Sequence, residues 1–155
     1  YLGPDKARRF YRELHDRGVR VVDGNSVVRD LVASGQLMMG LLDTDDAIGA
    51  IDNGFPVTMV FLDQDGMGTI VIPNTVAMIA GASHPEEAKL FIDYLLSQDT
   101  AQALVQAGWS HIPLRSTDPK SSSVKTDIKR MEVSLQDVYN KLDMINKELA
   151  EIYIR

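Results

Sequence analysis

Three carboxylates fall within four positions at Asp43-Thr44-Asp45-Asp46, directly after the apolar run Leu37–Leu42. Asp43 and Asp45 form a D-x-D pair, and paired carboxylates supply the hard oxygen ligands that a divalent cation takes. A metal-dependent enzyme acting on a nucleotide sugar is one chemistry that this pattern could serve. The plainer reading is that Asp43 or Thr44 caps a helix beginning near Asp45. Both can hold at once, because helix N-termini also bind ligands.

Other chemistry-bearing residues are scattered. Asp63-Gln64-Asp65-Gly66 begins like a calcium loop, but the later bidentate Glu is missing at the required spacing, so it reads as a solvated turn. His15, His84 and His111 do not pair at ligand spacing, which argues against zinc. Ser26 lacks a nucleophile-elbow context. There is no P-loop and no G-x-G-x-x-G. Met38 and Met39 are expected in the core, and Trp109 is expected to seal a loop rather than stack on a ligand. The residues point to binding more than to catalysis, since no nucleophile–base pair is apparent.

Composition narrows the classes. The 155-residue chain is long enough for one domain with a sizeable core. Its net charge of −6 and pI near 5.0 argue against a nucleic-acid partner, which needs a basic face. No stretch approaches the roughly 18 uninterrupted apolar residues of a membrane span. With no cysteine, disulfides, thiolate metal sites and cysteine nucleophiles are excluded. The start at Tyr1, without an initiator Met, is expected of a processed or cut chain and leaves export open.

The elements that must position these residues read as alternating strands and helices. Pro4 to Arg17 suits a helix: Pro opens it, Asp5 complements its positive end and Gly18 closes it. Val19 to Val22 reads as a short strand. Asp23 to Ser26 is turn chemistry, with Asn25 or Ser26 as N-cap for a helix over Val27 to Ser34. Leu37 to Leu42 is continuously apolar, as in a strand of a parallel sheet covered on both faces. A helix over Asp45 to Asn53 and a strand over Val57 to Leu62 follow. Thr69 to Ile72 and Val76 to Ala80 are extended runs. His84-Pro85-Glu86-Glu87 opens a further helix, and Ser97 caps another over Thr100 to Ala107, closed by Gly108. Residues 109–119 read as irregular and 120–123 as a polar linker. This alternation predicts an α/β fold: a three-layer, mostly parallel sheet with flanking helices.

The last segment is the most regular. Ser134 and Asp137 form a capping-box pattern. Leu135, Val138, Leu142, Ile145, Leu149 and Ile152 step by three and four. That is an amphipathic helix lying on its own domain. A coiled-coil seam, making the segment a helical oligomerisation module, is the alternative, though the capping box shortens it.

Several motifs taken in order resemble a known family. They are Val22-Asp23-Gly24-Asn25-Ser26-Val27-Val28, Ser34 to Leu41, Asp43 to Ala47, Gly68 to Thr75, and the helix from Pro85 to Ser97. Together they resemble the carboxy-terminal half of solute-binding proteins of ABC importers, in the ferric-iron-type branch. The resemblance implies a type II-like periplasmic binding protein, with two α/β lobes clamping ligand in a cleft. Full members are considerably longer, so the chain is expected to be a fragment. Residues 1–68 would form the second lobe, 69–75 a hinge-crossing strand, and 76–113 part of the first lobe. Residues 114–155 would be a linker and a helix packing back on the second lobe. The implied location is periplasmic or membrane-tethered. The implied partners are a small-molecule or ion ligand and an ABC permease, with a homodimer or domain swap plausible for a lone half. On this resemblance the cleft wall comprises Asn25, Ser26, Asp43, Thr44, Asp45 and Asp46. Asp45 and Asp46 stand where iron-binding relatives carry two adjacent tyrosinates, so they are the candidate ligands for a bound metal ion. Tyrosinate is the usual iron(III) anchor, and this chain has no adjacent tyrosine pair. Another cation, or a sugar or phosphorylated solute, is the corresponding alternative.

Overall fold

The computed structural model describes residues 2–107 and 128–154. Six helices carry its regular structure: α1 (Pro4–Asp16), α2 (Asn25–Ala33), α3 (Thr44–Asp52), α4 (Pro85–Leu95), α5 (Gln98–Gln106) and α6 (Leu135–Tyr153). They associate in pairs, α1 with α6, α2 with α3, and α4 with α5. Gly108, Trp109, His111 and the segments 109–119 and 120–123 fall within residues outside that description.

The helices form where local chemistry specifies them. Pro4 and Asp5 open α1, and Gly18 takes a φ of 79° just past its end, a conformation costly for any residue with a Cβ. There Gly18 N–H donates to His15 O and Val19 N–H to Leu14 O. Pro85 with Glu86 and Glu87 opens α4. Ser97 caps α5 by accepting from Thr100 N–H at 3.2 Å, and Ser134 caps α6 by accepting from Asp137 N–H at 3.2 Å. The sequence places the start of α5 two residues late, because Ser97 caps a helix that begins at Gln98.

The expected three-layer, mostly parallel α/β sheet is not what the structure shows. Among the described residues there is no sheet, and the only bridge is an isolated parallel pairing of Thr69 with Arg130. Val19–Val22, Leu37–Leu42 and Val57–Leu62 join no ladder, and Thr69–Ile72 pairs only through that bridge. The physical reason lies in where backbone hydrogen bonds go. A helix satisfies its N–H and C=O groups within itself, whereas a strand needs a neighbour for every one. Among the described residues no strand lies alongside these runs, so β-branched composition alone does not make them strands. Met38 and Met39 correct the expectation of a core position: they are 94% and 79% exposed.

The buried apolar set among the described residues is small, consisting of Ile48, Ala50 and Val105. Two of the three lie on α3, so the best-covered apolar contact supports the carboxylate cluster at that helix's start.

The long-range ties run between distant segments. Arg8 on α1 bonds Glu148 on α6 at 2.5 Å. The Tyr153 hydroxyl donates to Tyr11 O at 3.0 Å, and the His15 and Tyr153 rings meet edge to face. The pairs 8–148 and 15–153 rise together, so α1 and α6 run in the same direction. Only the end of α6 is covered this way: Leu135, Val138, Leu142 and Ile145 remain exposed.

Candidate functional site

Asn25, Asp43 and Asp46 are brought together by two short helices and the turn between them. Gly24, with φ 102°, turns the chain into α2, so Asn25 becomes the first helical residue rather than the cap. The cap residue, Gly24, has no side chain to accept from the first turn of α2. α2 ends at Ala33, and Leu37 N–H bonds back to Leu31 O. The chain then crosses its own helix at Gly40. A Cβ there would sit 2.3 Å from Val28 Cγ1, so any larger residue would have to displace the Val28 side chain. That close passage delivers Asp43 beside the start of α2.

Asp43 is the cap of α3. Its Oδ1 accepts from Asp46 N–H at 3.1 Å, and its Oδ2 accepts from Asn25 Nδ2 at 2.6 Å. One carboxylate thus ties two helix N-termini together, and both positive helix ends face a shared acidic group. Thr44 Oγ1 donates to Asp45 Oδ1 at 3.4 Å within the first turn of α3. Ser26 lies beside Asn25 in the first turn of α2 and is exposed.

Arg29 completes the arrangement, and the sequence reading missed it. Its Nη1 donates to Asp46 Oδ1 at 2.7 Å and its Nε to Asp30 Oδ1 at 2.8 Å. The guanidinium is held above its ordinary pKa, first by the hydrogen bond to Asp30. Burial opposes that rise, and the charges of Asp30 and Asp46 add to it. It is therefore cationic at any working pH. A signal for it existed. Arg29 follows Asn25 by four residues and Asp46 follows Asp43 by three, so each pair shares a helix face.

This geometry bears on the candidate metal chemistry. Both oxygens of Asp43 are already engaged, one by a backbone N–H and one by an amide. Asp46 is ion-paired with a fixed cation. Among the described residues, no group of three or more His, Cys, Asp or Glu side chains is placed to hold a metal ion. Ferric iron needs several hard anionic donors, and this donor set does not supply them. What the cluster offers instead is directional hydrogen bonding: the remaining lone pairs of its carboxylate oxygens, the amide of Asn25, and the backbone at the start of α2.

A model of one protein family, described as bacterial extracellular solute-binding protein, matches residues 2–132. The match takes in α1 to α5 and stops just before α6. No curated protein and no solved structure matches the chain. Among the described residues, no helix is long and apolar enough to cross a membrane.

Proposed function

The chain belongs to the bacterial extracellular solute-binding protein family, and on that premise we propose that the start of α2 and the start of α3 form one wall of its solute site. The protein serves as the solute-binding component of an ABC importer, capturing ligand and presenting it to a permease without chemical turnover. The wall consists of Asn25, Ser26, Asp43, Thr44, Asp45 and Asp46, with Arg29 holding Asp46 in place. The observation that carries the reading is the 2.6 Å bond from Asn25 to Asp43, which joins two helix N-termini at one point.

The donor set favours a hydroxylated or positively charged solute over a bare ferric ion. Carboxylates accept well from sugar hydroxyls and from ammonium groups. The neutralising Arg29 lowers the local negative charge that a trivalent ion would require.

A thermal-shift panel on this chain tests the reading. The panel contains ferric citrate, magnesium, a hexose, a hexose phosphate and a polyamine. A ligand at about a hundred times its Kd stabilises the folded form by about 2.7 kcal/mol, a shift that such a scan resolves. Stabilisation by the hexose, hexose phosphate or polyamine, abolished in Asp43→Ala, is the expected result. Stabilisation confined to ferric citrate would contradict the ligand class, and equal stabilisation of wild type and Asp43→Ala would contradict the site.

A further inference from the structure

Charge is not spread evenly along this acidic chain. Residues 2–22 carry six basic side chains against three acidic ones, a net charge of +3 within a chain whose total is −6. The excess sits on α1 and just past its end. The two sides of α1 have different surroundings. One side meets α6: Arg8 pairs with Glu148, and the His15 ring lies against that of Tyr153. Around the other side, Lys6, Phe10, Glu13 and Arg17 step by four, three and four, with Arg9 beside them. All five are exposed, Phe10 at 50%. Among the described residues, Lys6, Arg9 and Arg17 make no ion pair, whereas Arg8 and Arg29 are each tied to carboxylates. The outward face of α1 is thus three unpaired cations and one carboxylate around an aromatic ring. Pairing within the fold does not account for these cations.

Their combination with apolar groups selects the occupant. Free cations attract an anionic partner. The rest of the chain is strongly acidic and is repelled by the same partner, so the molecule approaches it with α1 foremost. A soluble polyanion would have no use for Phe10, nor for Leu2, which is 49% exposed just ahead of the helix. A lipid surface takes both kinds of group. Apolar side chains enter at the acyl boundary while Lys and Arg extend to the level of the phosphates. The family is extracellular and bacterial, which puts the outer face of a membrane within reach.

We propose that the outward face of α1, formed by Lys6, Arg9, Phe10 and Arg17, is a docking surface for an anionic phospholipid membrane, on which the chain lies without crossing it. This face is on a different helix from Asn25 and Asp43, so docking does not depend on which solute binds, and its failure would leave the solute site standing.

Vesicle co-sedimentation of the full chain tests it, with phosphatidylcholine alone and with about one third phosphatidylglycerol. The expected result is binding to the anionic vesicles only, released as salt rises to about 0.5 M because the contact is electrostatic and exposed. Lys6→Glu with Arg17→Glu weakens binding by about tenfold or more, and Phe10→Ala weakens it less. Lys141→Glu with Lys147→Glu on α6 makes the same change in net charge and leaves binding as it was. The salt release needs no variant and carries the test if the α1 variant does not fold. No binding to the anionic vesicles, equal binding to both vesicle types, or binding that salt does not release overturns the proposal. An equal loss in the α6 variant overturns it too, because net charge rather than α1 would then be read. Binding to polyglutamate that matches the vesicles, with no effect of Phe10→Ala, overturns the lipid assignment in favour of an acidic protein.

Discussion

The α2–α3 pair and the α1–α6 pair solve the same problem from opposite ends of the chain. α2 and α3 are separated only by residues 34–43, and their contact is made by residues close in sequence: Asn25 to Asp43 and Arg29 to Asp46. α1 and α6 come together across almost the whole chain, through Arg8 with Glu148 and Tyr153 with Tyr11. The first pair buries Ile48 and Ala50, whereas neither α1 nor α6 has a buried residue. Sequence-local pairs lose less loop entropy on closing, so a small apolar contact and a few charged bonds suffice. A distant pair must offset more with the same kinds of contact. The α2–α3 pair should therefore behave as the stable unit and α1–α6 as the labile one.

The largest effect expected is at Ile48. Ile48→Ala removes apolar volume from the largest side chain of the small buried set and should cost about 2–3 kcal/mol, at the lower end for core truncation because the core is small. Urea unfolding followed by circular dichroism checks it, and a cost equal to that of an exposed control such as Leu90→Ala would erase the contrast between the pairs. Asp43→Ala comes next. It removes the cap of α3 and strands the Asn25 amide, for about 1 kcal/mol. Its companion Ser134→Ala removes only the cap of α6 and should melt the start of that helix, read by amide exchange at residues 135–138, without disturbing Asp46.

The smallest effect is at the α1–α6 tie. The Arg8 guanidinium is raised above its usual pKa, chiefly by its hydrogen bond to Glu148 and then by that carboxylate's charge. A cation whose folded pKa is raised contributes its stability fully below the unfolded value and loses it only as pH rises through the folded one. Both lie above the ordinary working range, so raising the pH to about 11 should not release α6 through Arg8. Added salt should release it, since the pair is partly exposed and screened. Tyr153 fluorescence against salt, compared with Arg8→Met, reads this directly. Salt sensitivity that persists in Arg8→Met would place the electrostatics elsewhere.

The same contrast explains what was legible in the sequence. Helix ends are written in single residues: Pro4, Pro85, Ser97, Ser134 and Gly18 each act on backbone within one turn. Asp43 as cap of α3 was readable for that reason. The sheet was not decided by such signals. The apolar runs Leu37–Leu42 and Val57–Leu62 carry strand composition, but pairing is a property of neighbours, and neighbours are absent from a local reading. Asn25 shows a finer limit. It was readable as an N-cap, yet Gly24 takes that position and frees the Asn25 amide to reach Asp43. Arg29 went unread because its role exists only once α2 and α3 lie side by side.

On the proposed function, the starts of α2 and α3 bind a hydrogen-bonding solute. Calorimetric titration of whichever panel compound stabilises the chain most, into wild type and into Asn25→Ala with Asp45→Ala, tests it most directly. Removing two polar contacts should weaken binding by about tenfold or more, with both proteins retaining the same helical spectrum. An unchanged Kd in the double variant would show that the solute sits elsewhere.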